Sequence, residues 1–119
     1  MDMVIIWQLL NDFLEIDDIL KKNITLKKKV LEVLSNLPDY NVKDGLIMEW
    51  SRDYHEKDPG HRHVSHLCGL YPGHRVTVHH KYVNEHLNSL KKRIKHGGCQ
   101  TSWSCAWGIA LLLEVMTSF

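Results

Sequence analysis

The stretch Trp103–Met116, WSCAWGIALLLEVM, is apolar nearly all the way round a helical wheel. A helix of that kind belongs inside a larger body and is expected to be buried. A second helix makes a similar demand. Between Asp2 and Lys22, the residues Ile5, Ile6, Trp7, Leu9, Leu10, Phe13, Leu14, Ile16 and Leu20 cover an apolar arc of roughly 200°. Gln8, Asn11, Asp12, Glu15, Asp18 and Lys22 share the remaining side. An ordinary surface helix carries an apolar stripe of about 100°, so this one requires neighbours on two sides.

Between these two lie more modest elements. Thr25 stands where it could cap a second helix. Leu26, Val30, Val33, Leu34 and Leu37 then follow the helical period until Pro38 stops it. The first two helices should form an αα-hairpin. A third helix is expected over Lys81–Ile94, with Val83, Leu87, Leu90 and Ile94 on one face, and His96-Gly97-Gly98 should break it. The fourth should begin at Thr101 or Ser102, where either hydroxyl can cap it. Asp39–Gly60 reads as irregular: Lys43-Asp44-Gly45 is a turn, and LIMEWSRDY is too short and mixed for a definite element. HVSHLCGLY has the pattern of one or two helical turns, closed by Tyr71-Pro72-Gly73. No strand pair with a hairpin turn and no repeat is evident. The expected fold is all-α, about four main helices with long loops.

Four helices cannot enclose two such apolar faces. An unstructured loop of about 20 residues is also unusual inside a compact domain. Residues 1–119 are therefore expected to be a slice of something larger. Exposed apolar helix faces would make the isolated chain prone to self-association.

Charge and composition exclude several functions. A formal charge of +1 gives no bulk field for nucleic acid. The basic runs Lys21–Lys29 and Lys91–Lys95 read as solvated helix faces. No apolar run reaches the ~18 residues of a membrane span. The N-terminal MDMVIIWQLL lacks the basic start and small-residue cleavage site of a signal peptide. Cys68, Cys99 and Cys105 form no CxxC pair, and an odd count fits a reducing compartment or a truncated chain. Asn23-Ile24-Thr25 is a formal glycosylation acceptor.

Chemistry concentrates in DPGHRHVSH, Asp58–His66, where three histidines and an arginine follow a tight turn. His61, His63 and His66 with Asp58 could in principle hold zinc. An intervening arginine puts a cation beside the metal, HExxH is absent, and no cysteine stands at ligand spacing. From the residues alone, Arg62 and His63 are read first as capping helix ends or satisfying buried carbonyls, with sugar hydroxyls as the alternative partner. Arg62 offers a fixed fork of donors, and His63 can donate or accept. Glu49 beside Trp50 invites a reading as proton donor, yet a buried carboxylate paired with Arg52 or Arg62 is the better one. Trp103 and Trp107 share a helix face. Trp103 could stack on a sugar ring, with core packing the stronger expectation.

The segments MDMVIIWQLL, LPDYNVKDGLIMEW, DPGHRHVSHLCGLYPG and GGCQTSWSCAW, in that order, resemble glycoside hydrolase family 95, the α-L-fucosidase family. The resemblance runs to about Trp107. It implies an incomplete segment of an (α/α)6 barrel, which suits helices that demand burial on several faces. It implies hydrolysis of terminal α-1,2-linked fucose from glycans with inversion, without a cofactor or metal. Carried over residue by residue, it makes Arg62 and His63 contacts to the fucose. His61, Ser65 and His66 would fix the loop, with Glu49, Trp50 and Trp103 as lesser participants. The family's general acid and its base segment have no counterpart in these residues, so the chain alone is expected to be inactive. Ser102 stands where the family has glycine, Cys68 where it has an aromatic, and GIALLLEVMTSF matches poorly. Two alternatives stay open: a degenerate, non-catalytic sugar- or protein-binding relic, and a histidine-rich zinc-binding helical module.

Overall fold

A computed structural model describes residues 1–22 and 24–116. The chain divides into two compact units, Asp2–Asp39 and the residues from Tyr40 on together with Met1. The Asn23 glycosylation triplet and the end of the divergent C-terminal stretch, residues 117–119, fall on or include positions outside the described residues.

The first unit is α1 (Asp2–Leu20) and α2 (Ile24–Asn36), which pack on each other. Lys21, in left-handed backbone at φ 52, follows α1 directly, and an ion pair from Lys27 to Asp18 ties the two helices together. Pro38 does its work as expected, since α2 stops at Asn36. Thr25, expected ahead of the helix as a cap, lies inside its first turn. The wide apolar arc of α1 is largely uncovered: Ile5, Leu9, Ile16, Ile19 and Leu20 are exposed, and Val4 is the buried aliphatic.

The second unit carries β1 (Val42–Lys43), β2 (Leu46–Ile47), a 3₁₀ turn over Ser65–Leu67, α3 (Val83–Lys95) and α4 (Ser102–Met116). Helices dominate, and the sheet is a single two-residue ladder pairing Val42 with Ile47 and Lys43 with Leu46. That hairpin corrects the expectation of no strand pair. Asp44 and Gly45 both take positive φ, 51° and 72°, which makes the Asp-Gly step a tight hairpin turn of the primed type. The core is Ile47, Leu67, Leu70, Val76, Leu90 and Leu111.

Two helices differ from expectation in which face they bury. On α3 the buried residues are His86, Ser89, Leu90 and Arg93; of the expected stripe only Leu90 is buried, Val83 and Leu87 are half-buried and Ile94 is exposed. The hairpin causes the rotation. Ile47 N donates to Ser89 Oγ at 2.9 Å, and Asn88 Nδ2 donates to the Gly45 carbonyl at 3.3 Å. On α4, Ser104, Gly108 and Leu111 are buried, while Trp103, Ile109, Leu113 and Met116 are exposed. This helix was expected to be inner and enclosed. Within its unit α3 is the helix that packs on it, so one face is covered and the rest is not.

The ends of these helices are well determined. Gly97, at φ 97, lets Gly98 N donate back to the Arg93 carbonyl at 2.8 Å, closing α3. Thr101 caps α4 as expected: Ser104 N donates to Thr101 Oγ1 and Thr101 N to Ser104 Oγ, both at 3.2 Å.

Candidate functional site

The histidine motif starts at a turn that is fixed on both sides. Gly60 N donates to Asp58 Oδ1 at 3.1 Å, and His61 N donates to the Asp58 carbonyl at 3.1 Å. The turn lies flush against the end of α3, where a Cβ on Gly60 would fall 2.0 Å from the His96 carbonyl oxygen. From this anchor the chain presents His61, Arg62 and His63, all exposed. His63 N donates to His61 Nδ1 at 3.3 Å. The two rings are 5.1 Å apart. Arg62 Nε donates to His63 Nε2 at 3.4 Å.

The facing wall comes from α4. Trp103 and Trp107, one turn apart, hold their rings 6.0 Å from each other. His63 meets the Trp103 ring edge-on at 5.0 Å, and Tyr71 meets Trp107 at 5.6 Å. Together with Val64, Ser65, Cys68 and Pro72 they line a cleft of about 240 Å³. Trp103 is 51% exposed, so it is a wall of the cleft and not a core residue as expected. Such a space suits a ligand with one apolar face and a rim of hydroxyls. None of the residues lining it is Asp or Glu.

Other expected participants lie elsewhere. His66 is 4% exposed, on the core side of the motif, and its Nδ1 lies 3.9 Å from Glu49 Oε2 without a hydrogen-bond partner among the described residues. Glu49 pairs with Arg93 at 2.9 Å, which corrects the expected Arg52 or Arg62. Trp50 is 62% exposed and belongs, with Glu49, Arg52, Tyr54 and Glu56, to a separate cleft of about 490 Å³. The sequence therefore grouped residues from two clefts. Among the described residues no group of three His, Cys, Asp or Glu side chains is placed to hold a metal ion, and no helix is long and apolar enough to cross a membrane. The cysteines are free thiols.

Arg93 was hidden within the basic run Lys91–Lys95, which was expected to be a solvated face. Its side chain is buried and bridges Glu49 and Glu56, the latter at 2.8 Å. The only signal in the sequence was its position three residues after Leu90, on the same helical face. Burial alone would raise the Glu56 carboxyl, but hydrogen bonding to Lys92 and the charge of Arg93 outweigh it and hold that group below its ordinary value.

Burial, reinforced by the Arg93 guanidinium, pushes the His66 imidazole down to about 3. Burial also lowers His86, which is packed against Tyr40 at 4.8 Å. Both histidines are neutral when folded and protonate on unfolding in acid. Stability should therefore be lost as pH falls from about 6.5 towards 3, with the lowered Glu56 acting in the same direction below its ordinary range. Above neutral pH these groups contribute no pH dependence. Denaturant melts at pH 7.5 and pH 5 should show the loss, and the His66 ring proton shifts should stay flat between those values. Titration of His66 near pH 6.5 would contradict its enclosure.

The sequence profile of the glycosyl hydrolase family 95 catalytic domain matches residues 1–115. The chain is also 40% identical over 122 aligned positions to alpha-L-fucosidase 2 of Arabidopsis thaliana, an alignment that covers 99% of this chain and 14% of that protein. The helical fold and the aromatic cleft around Arg62 and His63 thus sit in a chain that belongs to the glycosyl hydrolase family 95 catalytic domain family. It spans about one seventh of the length of the curated relative it matches.

Proposed function

We propose that these 119 residues form the fucose-holding part of an inverting α-L-fucosidase that removes terminal α-1,2-linked fucose from glycans. The observation that carries this reading is the cleft itself: Arg62 and His63 beside Trp103, Trp107 and Tyr71, in a chain of this family. Fucose is a 6-deoxy sugar, with a methyl group and an apolar ring face beside three hydroxyls. Indole and phenol rings suit the apolar parts. The Arg62 fork and the ring nitrogens of His63 suit the hydroxyls. Held this way, the sugar presents its anomeric carbon in a fixed orientation, which supplies much of a glycosidase's rate.

An inverting mechanism needs two carboxyl groups roughly 6.5–9.5 Å apart, one to protonate the leaving oxygen and one to activate water. The cleft walls carry none. We therefore assign both to segments outside residues 1–119, which would contribute other parts of an (α/α)6 barrel and cover the apolar faces of α1 and α4. The same lack of carboxylates is what a non-catalytic sugar-binding relic would show, and one experiment separates the readings. The purified 119-residue chain should release no fucose from a fucosyl-α-1,2-galactoside and should run in light scattering as species heavier than 13.9 kDa. The complete protein should release fucose with inverted anomeric configuration. Inactivity of the complete protein with retained fucose binding would establish the relic. Saturable hydrolysis by a monomer of the 119-residue chain would refute the division of labour.

A further inference from the structure

We propose that Arg93 is the positioning residue for the Arg62-His63 step, holding the motif's turn in register with the aromatic wall of α4. This rests on the fucose-holding reading of the cleft. Arg93 belongs to α3, and its side chain is 5% exposed. It makes three polar contacts, two to the loop that precedes the motif and one to the motif's first residue. Nη2 donates to Glu49 Oε2 at 2.9 Å and lies 2.8 Å from Glu56 Oε1, while Nη1 donates to the Asp58 carbonyl at 3.0 Å.

The Asp58 carbonyl is the informative partner. It also accepts the His61 N–H, so Arg93 grips the residue on which the turn is built. Gly60 presses against the last turn of the same helix, at His96. Arg93 thus fixes the start of the motif against α3, and the Gly97-Gly98 stop leads directly on to α4. Arg62 and His63 come from the gripped loop, and Trp103 comes from the helix that follows the grip. The 5.0 Å contact between His63 and Trp103 is the product of that geometry. Lys92, adjacent on α3, pairs with Glu56 and steadies the same loop from the solvent side.

A lysine could keep the positive charge but not the fork. A guanidinium can donate to two carboxylates and a carbonyl in one plane, whereas a single ammonium on a flexible stem cannot hold that geometry. Arg93→Lys therefore tests position separately from charge.

The experiment is a double-mutant cycle in the complete protein, with Arg62→Ala, Arg93→Lys and the pair, reading kcat and KM on a fucosyl-α-1,2-galactoside. Arg93→Lys should lower kcat/KM by about tenfold. In the Arg62→Ala background it should cost less than threefold, because the contact it positions is already gone. Equal costs in both backgrounds would show a merely structural role and overturn the inference, as would wild-type kinetics for Arg93→Lys. If that variant does not fold, Glu49→Gln, which keeps the volume and one acceptor for Arg93, is put through the same cycle with the same expectation. Should Arg62→Ala itself have wild-type kinetics, the fault lies with the fucose-holding reading and not with the grip alone.

Discussion

Replacing Arg62 with alanine should lower kcat/KM for an α-L-fucoside by about a hundredfold or more in the complete protein, with little change in melting temperature. A charge-assisted hydrogen bond contributes about 1.5–3 kcal/mol, and a guanidinium can make two to a pair of sugar hydroxyls. Loss of both spans roughly a hundredfold to about twenty-thousandfold, at about 1.4 kcal/mol per factor of ten. Arg62 also contacts His63 Nε2, so its removal frees a second wall residue. Its exposure means that the fold loses almost nothing. Arg62→Lys should recover part of the loss. A kcat/KM within threefold of wild type for Arg62→Ala would remove this residue from the site.

Gly60→Ala is expected to be the most disruptive single-methyl change in the motif. The new Cβ would lie 2.0 Å from the His96 carbonyl oxygen and 2.7 Å from its carbon. Both are backbone atoms at the end of a helix, so no side chain can swing away. The turn cannot retreat either, because Asp58 holds it through Gly60 N and His61 N while Arg93 holds Asp58. Overpacking usually costs about 1–3 kcal/mol, and with backbone on both sides we expect about 3 kcal/mol or more. Activity should fall further than stability, since the displaced turn carries Arg62 and His63 with it. Denaturant unfolding of wild type and variant measures the first, and kinetics at a temperature where both are folded measures the second. A loss below about 1 kcal/mol would mean that the turn is not seated as described.

Local patterns in the chain were informative where the physics is local. The helical period placed α1 and α2, Pro38 marked the end of α2, and the hydroxyl of Thr101 marked the start of α4. The tight Asp58-Pro59-Gly60 turn ahead of the histidines was visible for the same reason. Failures arose where a residue's role depends on distant chain. The Val42–Ile47 hairpin is too short for alternation to register, although Asp44-Gly45 was its one available sign. The rotated face of α3 follows from that hairpin, through Ser89 and Asn88. Arg93 looked like its solvated neighbours Lys91 and Lys95, because its partners Glu49 and Glu56 lie far back in sequence. Trp103 read as core from the helix face it shares with Trp107, but among the described residues it is covered only in part and stays 51% exposed.

The two walls of the cleft have different owners. Arg62 and His63 ride on a loop gripped by α3, whereas Trp103 and Trp107 ride on α4. The spacing between them depends on the short joint Gly97–Thr101, none of whose residues lines the cleft. Evolution can therefore adjust the gap by editing the joint while leaving every lining side chain intact. The same holds for a protein engineer: a library over Cys99 and Gln100, with Gly98 kept because a Cβ there would fall 2.8 Å from the Arg93 carbonyl oxygen, would sample cleft widths, and hence sugar sizes, without changing a lining side chain.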